Sequence, residues 1–397
     1  MAPASSPSIP VTMSTARRSL KSQMLGQWAS GKRLGSSPIW LGAPGMAKTA
    51  ICKDVAHEVA RELDRSVLVI TVFLVDREVP DLRGMALPVK NPETNSYEYI
   101  AYTRAGILPN PDLELAYDHV LLLIDEVPAA TLDHIKSVAS VFLDYVAGDT
   151  VLDPAKYFVV GTGNRTQDRS GAARLPSHFV NRVRLLEIEP DVRPWLDWSA
   201  DPDNNVPMLA RTFVHMRPAL FTSARVPDEA NASFCTLRSF TNGIQALMRD
   251  FAHDPANVDP ADPGVFDAAF SPDHVGDATA LLAGDIGAAV AREFITFAKL
   301  RHQLTTLDDI LRDPDGAALP VDPSALYAQA SYCVSWVTKT NAEKLVRYVA
   351  RLRPDLRVPT VQQMLKREPA VSRTPIYAQM MKANMGLMQA VAATAIR

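Results

Sequence analysis

Cysteine is scarce in this sequence. Only Cys52, Cys235 and Cys333 occur in 397 residues, far apart and without the paired spacing that a metal knot or a disulfide framework requires. Long apolar runs are missing as well. No stretch of about 18 or more apolar residues occurs, which argues against a membrane-spanning helix. The Ala/Ser/Pro-rich start from Met1 to Pro10 has no apolar core of the kind that directs export. Neither sign of charge dominates: 41 basic against 44 acidic residues give a slightly acidic formal net charge of -3. Nothing in that balance advertises a grip on nucleic acid or on an anionic membrane. There is no internal repeat, and no Asn-Lys-x-Asp stretch of the kind that reads guanine. What remains is 47% hydrophobic and 21% charged, an ordinary globular composition with length for two or three domains, expected in the cytoplasm and away from membranes.

The stretch around which the chain is organised runs from Pro38 to Ile51. A short apolar strand (Ile39, Trp40, Leu41) leads into Gly42, Ala43, Pro44, Gly45, Met46 and Ala47, and then Lys48, Thr49 and Ala50 open a helix. Backbone N–H groups of such a loop, together with the helix N-terminus, make a pocket for nucleotide phosphates. Lys48 is expected to reach the β/γ-phosphates and the Thr49 hydroxyl to hold Mg²⁺. Ala47 stands where a second loop glycine is expected; a left-handed backbone there costs Ala about 1 kcal/mol more than Gly.

A second signal is Val120 to Ile124 followed by Asp125 and Glu126. Four or five bulky apolar residues predict a central strand, and the two acids fall at its C-terminal end, where α/β sheets hold ligands. Asp125 suits the Mg²⁺ shell; Glu126 suits orienting and deprotonating an attacking water. Between these signals, Ile51, Val55, Val59 and Leu63 recur at helical spacing, and Val67 to Val75 predicts a strand buried on both faces. Residues 76–104 predict an inserted hairpin with a polar tip, either a surface excursion with packed tyrosines or a contact loop. Downstream, Tyr157 to Val160 predicts another buried strand, ending in Gly161-Thr-Gly-Asn164-Arg165, in which Asn164 is either a turn residue or a group that senses the γ-phosphate. Arg182, before a strand from Val183 to Ile188, is either a surface arginine or a charge supplied to a neighbouring subunit's phosphate.

The first residues, 1–12, read as disordered, and Ser14 to Ser30 as a lead-in helix capped by Gly31. Beyond Trp195 the chain reads as helical: Val206 to Met216, Leu237 to Phe251 with Arg238 at its start, Ala278 to Gln303, and further helices from Leu319. Asp254 to Pro272 reads as a linker. Met381, Met385 and Met388 share a face suited to core or interface packing.

Gly-Ala-Pro-Gly-Met-Ala-Lys48-Thr, Leu-Leu-Leu-Ile-Asp125-Glu, Gly-Thr-Gly-Asn164-Arg, Phe-Val-Asn-Arg182 and Thr-Leu-Arg238-Ser-Phe together resemble the MoxR-like branch of the AAA+ ATPases. Ala in place of the loop glycine is common in that branch. The resemblance extends to Val75 through Gly84, Trp195-Leu-Asp-Trp198 and His215-Met-Arg-Pro218, and to Asn341 through Asn384, which is similar to a C-terminal element of some phage and bacterial members. It implies an α/β fold: a P-loop AAA+ parallel-sheet core with an inserted β-hairpin, then an α-helical lid and a helical C-terminal extension. The implied division is 1–35 for the start and lead-in helix, 36–198 for the nucleotide-binding domain, 199–310 for the lid and 311–397 for the extension.

The resemblance makes residues 42–50 the binding loop for ATP, with Thr49 and Asp125 holding Mg²⁺ and Glu126 as the catalytic base. Asn164 becomes the first sensor, Arg182 the arginine finger acting in trans, with Arg184, Arg174 and Arg165 as competitors, and Arg238 the second sensor. It further implies a hexameric ring with nucleotide between subunits, the hairpin facing the pore, and a protein target or a partner carrying a von Willebrand A-type domain. The expected function is therefore ATP-driven remodelling of a protein. The alternative is a nucleic-acid translocase or phage DNA-handling motor, against which stand the acidic balance and a hairpin without a Lys/Arg cluster.

Overall fold

The computed structural model describes residues 9–168, 172–222, 232–260, 262 and 264–383. The expected methionine face, through the side chains of Met381, Met385 and Met388, lies outside the described residues, as do the first eight residues of the expected disordered start. Residues 9–12 of that start are described, and part of them is ordered: Val11 bridges Ile188 in parallel, and Thr12 caps the first helix by accepting from the Thr15 amide. The chain divides into two compact units, the first running to Pro194 and the second beginning at Trp195.

The first unit is built from α1 (Met13–Ser30), β1 (Pro38–Leu41), α2 (Lys48–Glu62), β2 (Val67–Phe73), α3 (Val79–Arg83), β3 (Ala86–Lys90), β4 (Tyr97–Tyr102), α4 (Pro111–Leu115), β5 (His119–Asp125), α5 (Leu132–Asp144), β6 (Val146–Ala147), β7 (Thr150–Val151), β8 (Tyr157–Gly163), α6 (Ser177–Val180) and β9 (Arg184–Glu187). Five strands form one sheet in the order β2-β5-β8-β1-β9, every pairing parallel. This is the α/β parallel-sheet core with an inserted hairpin that the sequence predicts.

Alternation along β5 shows why this strand is central. Val120, Leu122 and Ile124 pack with Phe142 of α5 on one face, while Leu121 and Leu123 pack with Val55 and Val59 of α2 on the other. In α2 the buried positions Cys52, Val55, Ala56, Val59 and Ala60 follow the 3.6-residue period, so one stripe of this helix lies on the sheet. Each fully buried Leu or Phe in these layers contributes about 1.5–3 kcal/mol.

One expectation needs correction. β2, read as buried on both faces, is an edge strand that is mostly half-buried, and Phe73 at its end is 46% exposed. Its apolar run reflects parallel pairing with β5 over its whole length, which leaves its outer flank uncovered. β3 and β4 form the inserted antiparallel hairpin. At its root Gly84 has φ 88°, and a Cβ there would lie 1.9 Å from the Thr103 carbonyl oxygen, so only glycine fits the close approach. The reading of packed tyrosines fails: Tyr97 is 67% and Tyr99 60% exposed.

In the second unit the helices are α7 (Arg193–Trp198), within which the division falls, α8 (Met208–Met216), α9 (Pro218–Thr222), α10 (Leu237–Asp250), α11 (Val275–Ile286), α12 (Ala288–Ala298), α13 (Leu307–Arg312), α14 (Pro323–Trp336), α15 (Ala342–Ala350), α16 (Pro354–Arg367) and α17 (Pro375–Ala383). The helix read from Ala278 to Gln303 is two helices, broken at Gly287. Phe213, Phe240 and Phe294 make its aromatic centre, with ring centroids 5.2–5.7 Å apart. The expected linker from Asp254 to Pro272 takes part in this centre: Phe266 is buried, stacks on Phe270 at 5.1 Å and meets Phe294 edge-on. Apolar residues 266, 269 and 270 have helical spacing that the surrounding Asp and Pro hide. Among the described residues no helix is long and apolar enough to cross a membrane.

Candidate active site

The C-terminal ends of β1, β5 and β8 converge, because β8 lies between the other two and pairs with both in register. Ligands in open parallel sheets bind at such an end. From β1 the chain turns through Gly45 (φ 74°) and Ala47 (φ 56°, ψ 22°) into α2. The left-handed backbone is thus required at position 47, and Ala bears the strain of about 1 kcal/mol. Successive left-handed and helical residues turn backbone N–H groups into one concavity, and the first-turn amides of α2 have no acceptors within the helix.

The Lys48 side chain is buried and folds back over the loop. Its Nζ donates to the carbonyl oxygens of Gly42 (2.8 Å) and Ala43 (2.9 Å) and to Asn164 Oδ1 (3.2 Å). The Thr49 hydroxyl donates to Asp125 Oδ2 at 2.7 Å. Asp125 Oδ1 accepts from the Thr162 hydroxyl and, at 2.9 Å, from the Glu126 amide. Both oxygens of this buried carboxylate are therefore fixed. A hydroxyl and a carboxylate side by side at a helix N-terminus are hard oxygen donors that fit Mg²⁺. No cluster of three or more His, Cys, Asp or Glu exists among the described residues, so an ion held here would also use substrate oxygens and water.

Glu126 has a left-handed backbone (φ 60°) and is half-buried. No side chain or amide donates to its carboxylate among the described residues. Non-glycine residues in this region store about 1–3 kcal/mol and mark functional turns. Cys52, beneath the loop, is inert as a nucleophile: burial pushes its thiol well above the usual range, and the Asp125 charge adds to this.

The structure thus brings together Lys48, Thr49, Asp125 and Asn164, with Glu126 next along the chain. Arg182 is elsewhere. It precedes β9, whose first residue pairs with Pro38, so it lies at the opposite end of β1 from the loop, about 13 Å of strand away. It is exposed and borders a cavity of about 500 Å³ shared with Arg33 and Asp144. Of its competitors, Arg165 is engaged by Asp168 (2.7 Å) and Glu187 (3.5 Å), which raise its pKa, the Asp168 bond most. Arg184 donates to Ser19 at 3.2 Å, and Arg174 is exposed beside Ala173, whose amide donates to the Pro128 carbonyl. Arg238 belongs to the second unit, in the first turn of α10, which Thr236 caps.

Thr162 was missed by sequence reasoning. The signal is a polar residue inside a fully buried strand, placed beside Asp125 by the pairing of Ile124 with Gly161. Gly163 is a second such position: a Cβ there would lie 2.2 Å from Pro128 Cδ. Gly163→Ala is therefore expected to lower unfolding free energy by about 1–3 kcal/mol, the usual penalty of overpacking, as read by denaturant titration. Unchanged stability would mean that the Pro128 turn yields freely.

No family model matches this chain, and no curated protein does. Among solved structures there are distant likenesses. A candidate ATPase from Cytophaga hutchinsonii is 17% identical with a TM-score of 0.30, covering 52% of this chain and 64% of that one. PCH-2 of C. elegans is 12% identical with a TM-score of 0.34, covering 74% and 70%. Drosophila ORC, bound to poly(dA/dT) DNA and Cdc6, is 13% identical with a TM-score of 0.32, covering 96% and 66%. The chain spans about two thirds of the length of each.

Proposed function

We propose that this chain is an ATP-hydrolysing AAA+ protein of the MoxR-like branch, which assembles into a hexameric ring and remodels a partner protein. The observation that carries the reading is the joint placement of the Lys48 amine, the Thr49–Asp125 pair and Asn164 at the converging strand ends. In this reading residues 42–50 cradle the triphosphate and Lys48 exchanges its carbonyl partners for phosphate oxygens. Thr49 and Asp125 would hold Mg²⁺, which would supply neutralisation of phosphate charge. Glu126 takes the proton of the attacking water, and Asn164 orients that water or contacts the γ-phosphate. Arg182 acts on the neighbouring subunit's nucleotide, and Arg238 reads the nucleotide from a helical lid, 199–310, with 311–397 as an extension.

The working surface is the hairpin. Leu87, Tyr97, Tyr99, Ile100 and Tyr102 are all exposed on it, 48–67% of each, an aromatic surface suited to a protein target. Its charges are Lys90, Glu93 and Glu98, with Lys90 lying over the Tyr97 ring at 4.9 Å, too few cations to track a phosphate backbone. The partner, a von Willebrand A-type protein in the family pattern, is expected to raise ATP turnover.

The test begins with Mg²⁺-dependent phosphate release by the purified chain. Replacing residues 90–97 with a short Gly/Ser turn should leave basal turnover nearly intact, since the tip buries little, and abolish stimulation by the partner. Absence of Mg²⁺-dependent ATP turnover in folded protein would refute the enzyme. Stimulation by DNA, falling steeply with salt, would replace the protein target by a nucleic acid.

A further inference from the structure

The second unit contains a buried cation, Arg211, and the one carboxylate that acts on it among the described residues is the largely exposed Asp197. Arg211 of α8 is only 6% exposed, and among the described residues its guanidinium makes no hydrogen bond or ion pair; it lies over the Trp336 ring, 5.5 Å from the centroid. Its Nε is fully buried without an acceptor. Arg367, in the last turn of α16, stands near enough for the two positive charges to oppose each other. Asp197, which also acts on Arg211, is 3.7 Å from Arg367, but its side chain is 74% exposed and it brings one negative charge against two positive ones. Burial lowers the Arg211 pKa to about 10 with Arg367 adding to the shift, so the group stays charged at neutral pH. A buried guanidinium normally has a carboxylate or phosphate partner, because desolvating it alone is very unfavourable.

Farther along the same helices is a cavity of about 810 Å³, lined by His215, Gln363, Ser331, Phe213, Phe297 and Glu293 among others. His215 is four residues on from Arg211 in α8, Gln363 four before Arg367 in α16, and Ser331 five before Trp336 in α14. The two arginines therefore lie about one helical turn beyond the cavity on the same helices. That size suits a small organic ligand, and Phe213 and Phe297 supply an apolar wall.

We propose that Arg211 and Arg367 form an oxyanion site in the helical unit, taking a phosphate- or carboxylate-bearing small molecule whose body occupies the adjoining cavity. Planar guanidinium groups bind both oxyanions with paired hydrogen bonds. This goes beyond the proposed ATPase and does not depend on it.

The test uses the full chain as Lys48→Ala, so that phosphate cannot act through the nucleotide loop. Amide hydrogen exchange is followed at matched ionic strength in chloride, inorganic phosphate and succinate. Phosphate or succinate at ten times its dissociation constant is expected to slow exchange in α8 and α16 about tenfold. The effect should vanish in Arg367→Gln and in Arg211→Met. Arg367 is partly exposed, so its variant keeps the test decisive if Arg211→Met does not fold. Equal exchange in all three salts, or protection that survives both substitutions, overturns the proposal.

Discussion

Glu126→Gln should bind ATP as the parent does and turn it over about 10²–10⁴-fold more slowly, the usual worth of a positioned base. Among the described residues the bonds at the Gly42–Thr49 loop include those among Lys48, Asn164, Thr49, Asp125 and Thr162, and none uses the Glu126 carboxylate. The amide of residue 126, which donates to Asp125, is untouched by the substitution. Lys48→Ala is the contrasting variant. It removes a cation bonded within the loop and takes the Lys48 amine away from the carbonyls of Gly42 and Ala43, so ATP affinity itself should fall. Nucleotide binding by fluorescence titration and phosphate release measured on both variants separate the two roles. Turnover at the parent rate in Glu126→Gln would sink the assignment of the base.

Arg182→Ala should lower turnover by about 10³–10⁵-fold while ATP binding persists, if this arginine completes a neighbour's site as arginine fingers do. Position supports the trans arrangement. The start of β9 is at the end of the sheet away from Lys48, so Arg182 is badly placed for its own loop. Its exposure leaves it able to meet another copy, whereas Arg165 is tied to Asp168 and Glu187. Mixing Arg182→Ala with Lys48→Ala should restore part of the activity, because some interfaces then join an intact loop to an intact arginine. No rescue in preparations shown to form mixed assemblies would transfer the role elsewhere, with Arg174 the next to test.

The glycine-bearing turn into α2 and the acid-ended strand were legible as structure because each is a local device: strand, turn and helix start follow one another within about a dozen residues. Thr162 was not legible as a partner of Asp125, because strand register is a tertiary fact and nothing within Gly-Thr-Gly announces it. β2 was misread for a related reason. Its apolar run fits a central strand and an edge strand equally, and only the order of the sheet decides between them. The supposed linker failed through composition: Asp and Pro outnumber the few aromatic residues that bury Phe266 against Phe270 and Phe294. Arg211 was invisible because an arginine in an amphipathic helix ordinarily faces water.

The double grip on Asp125 has a kinetic consequence. A cation held at Oδ2 would displace a proton donor, the Thr49 hydroxyl, and not a second carboxylate or a lysine. A hydroxyl can offer its lone pair in place of its proton by turning about one C–O bond, with the β-branched Thr rotamer unchanged. Thr162 and the Glu126 amide meanwhile keep the carboxylate from swinging. The turn of the Thr49 hydroxyl therefore needs no chain movement and belongs to the picosecond-to-nanosecond range of side-chain motion.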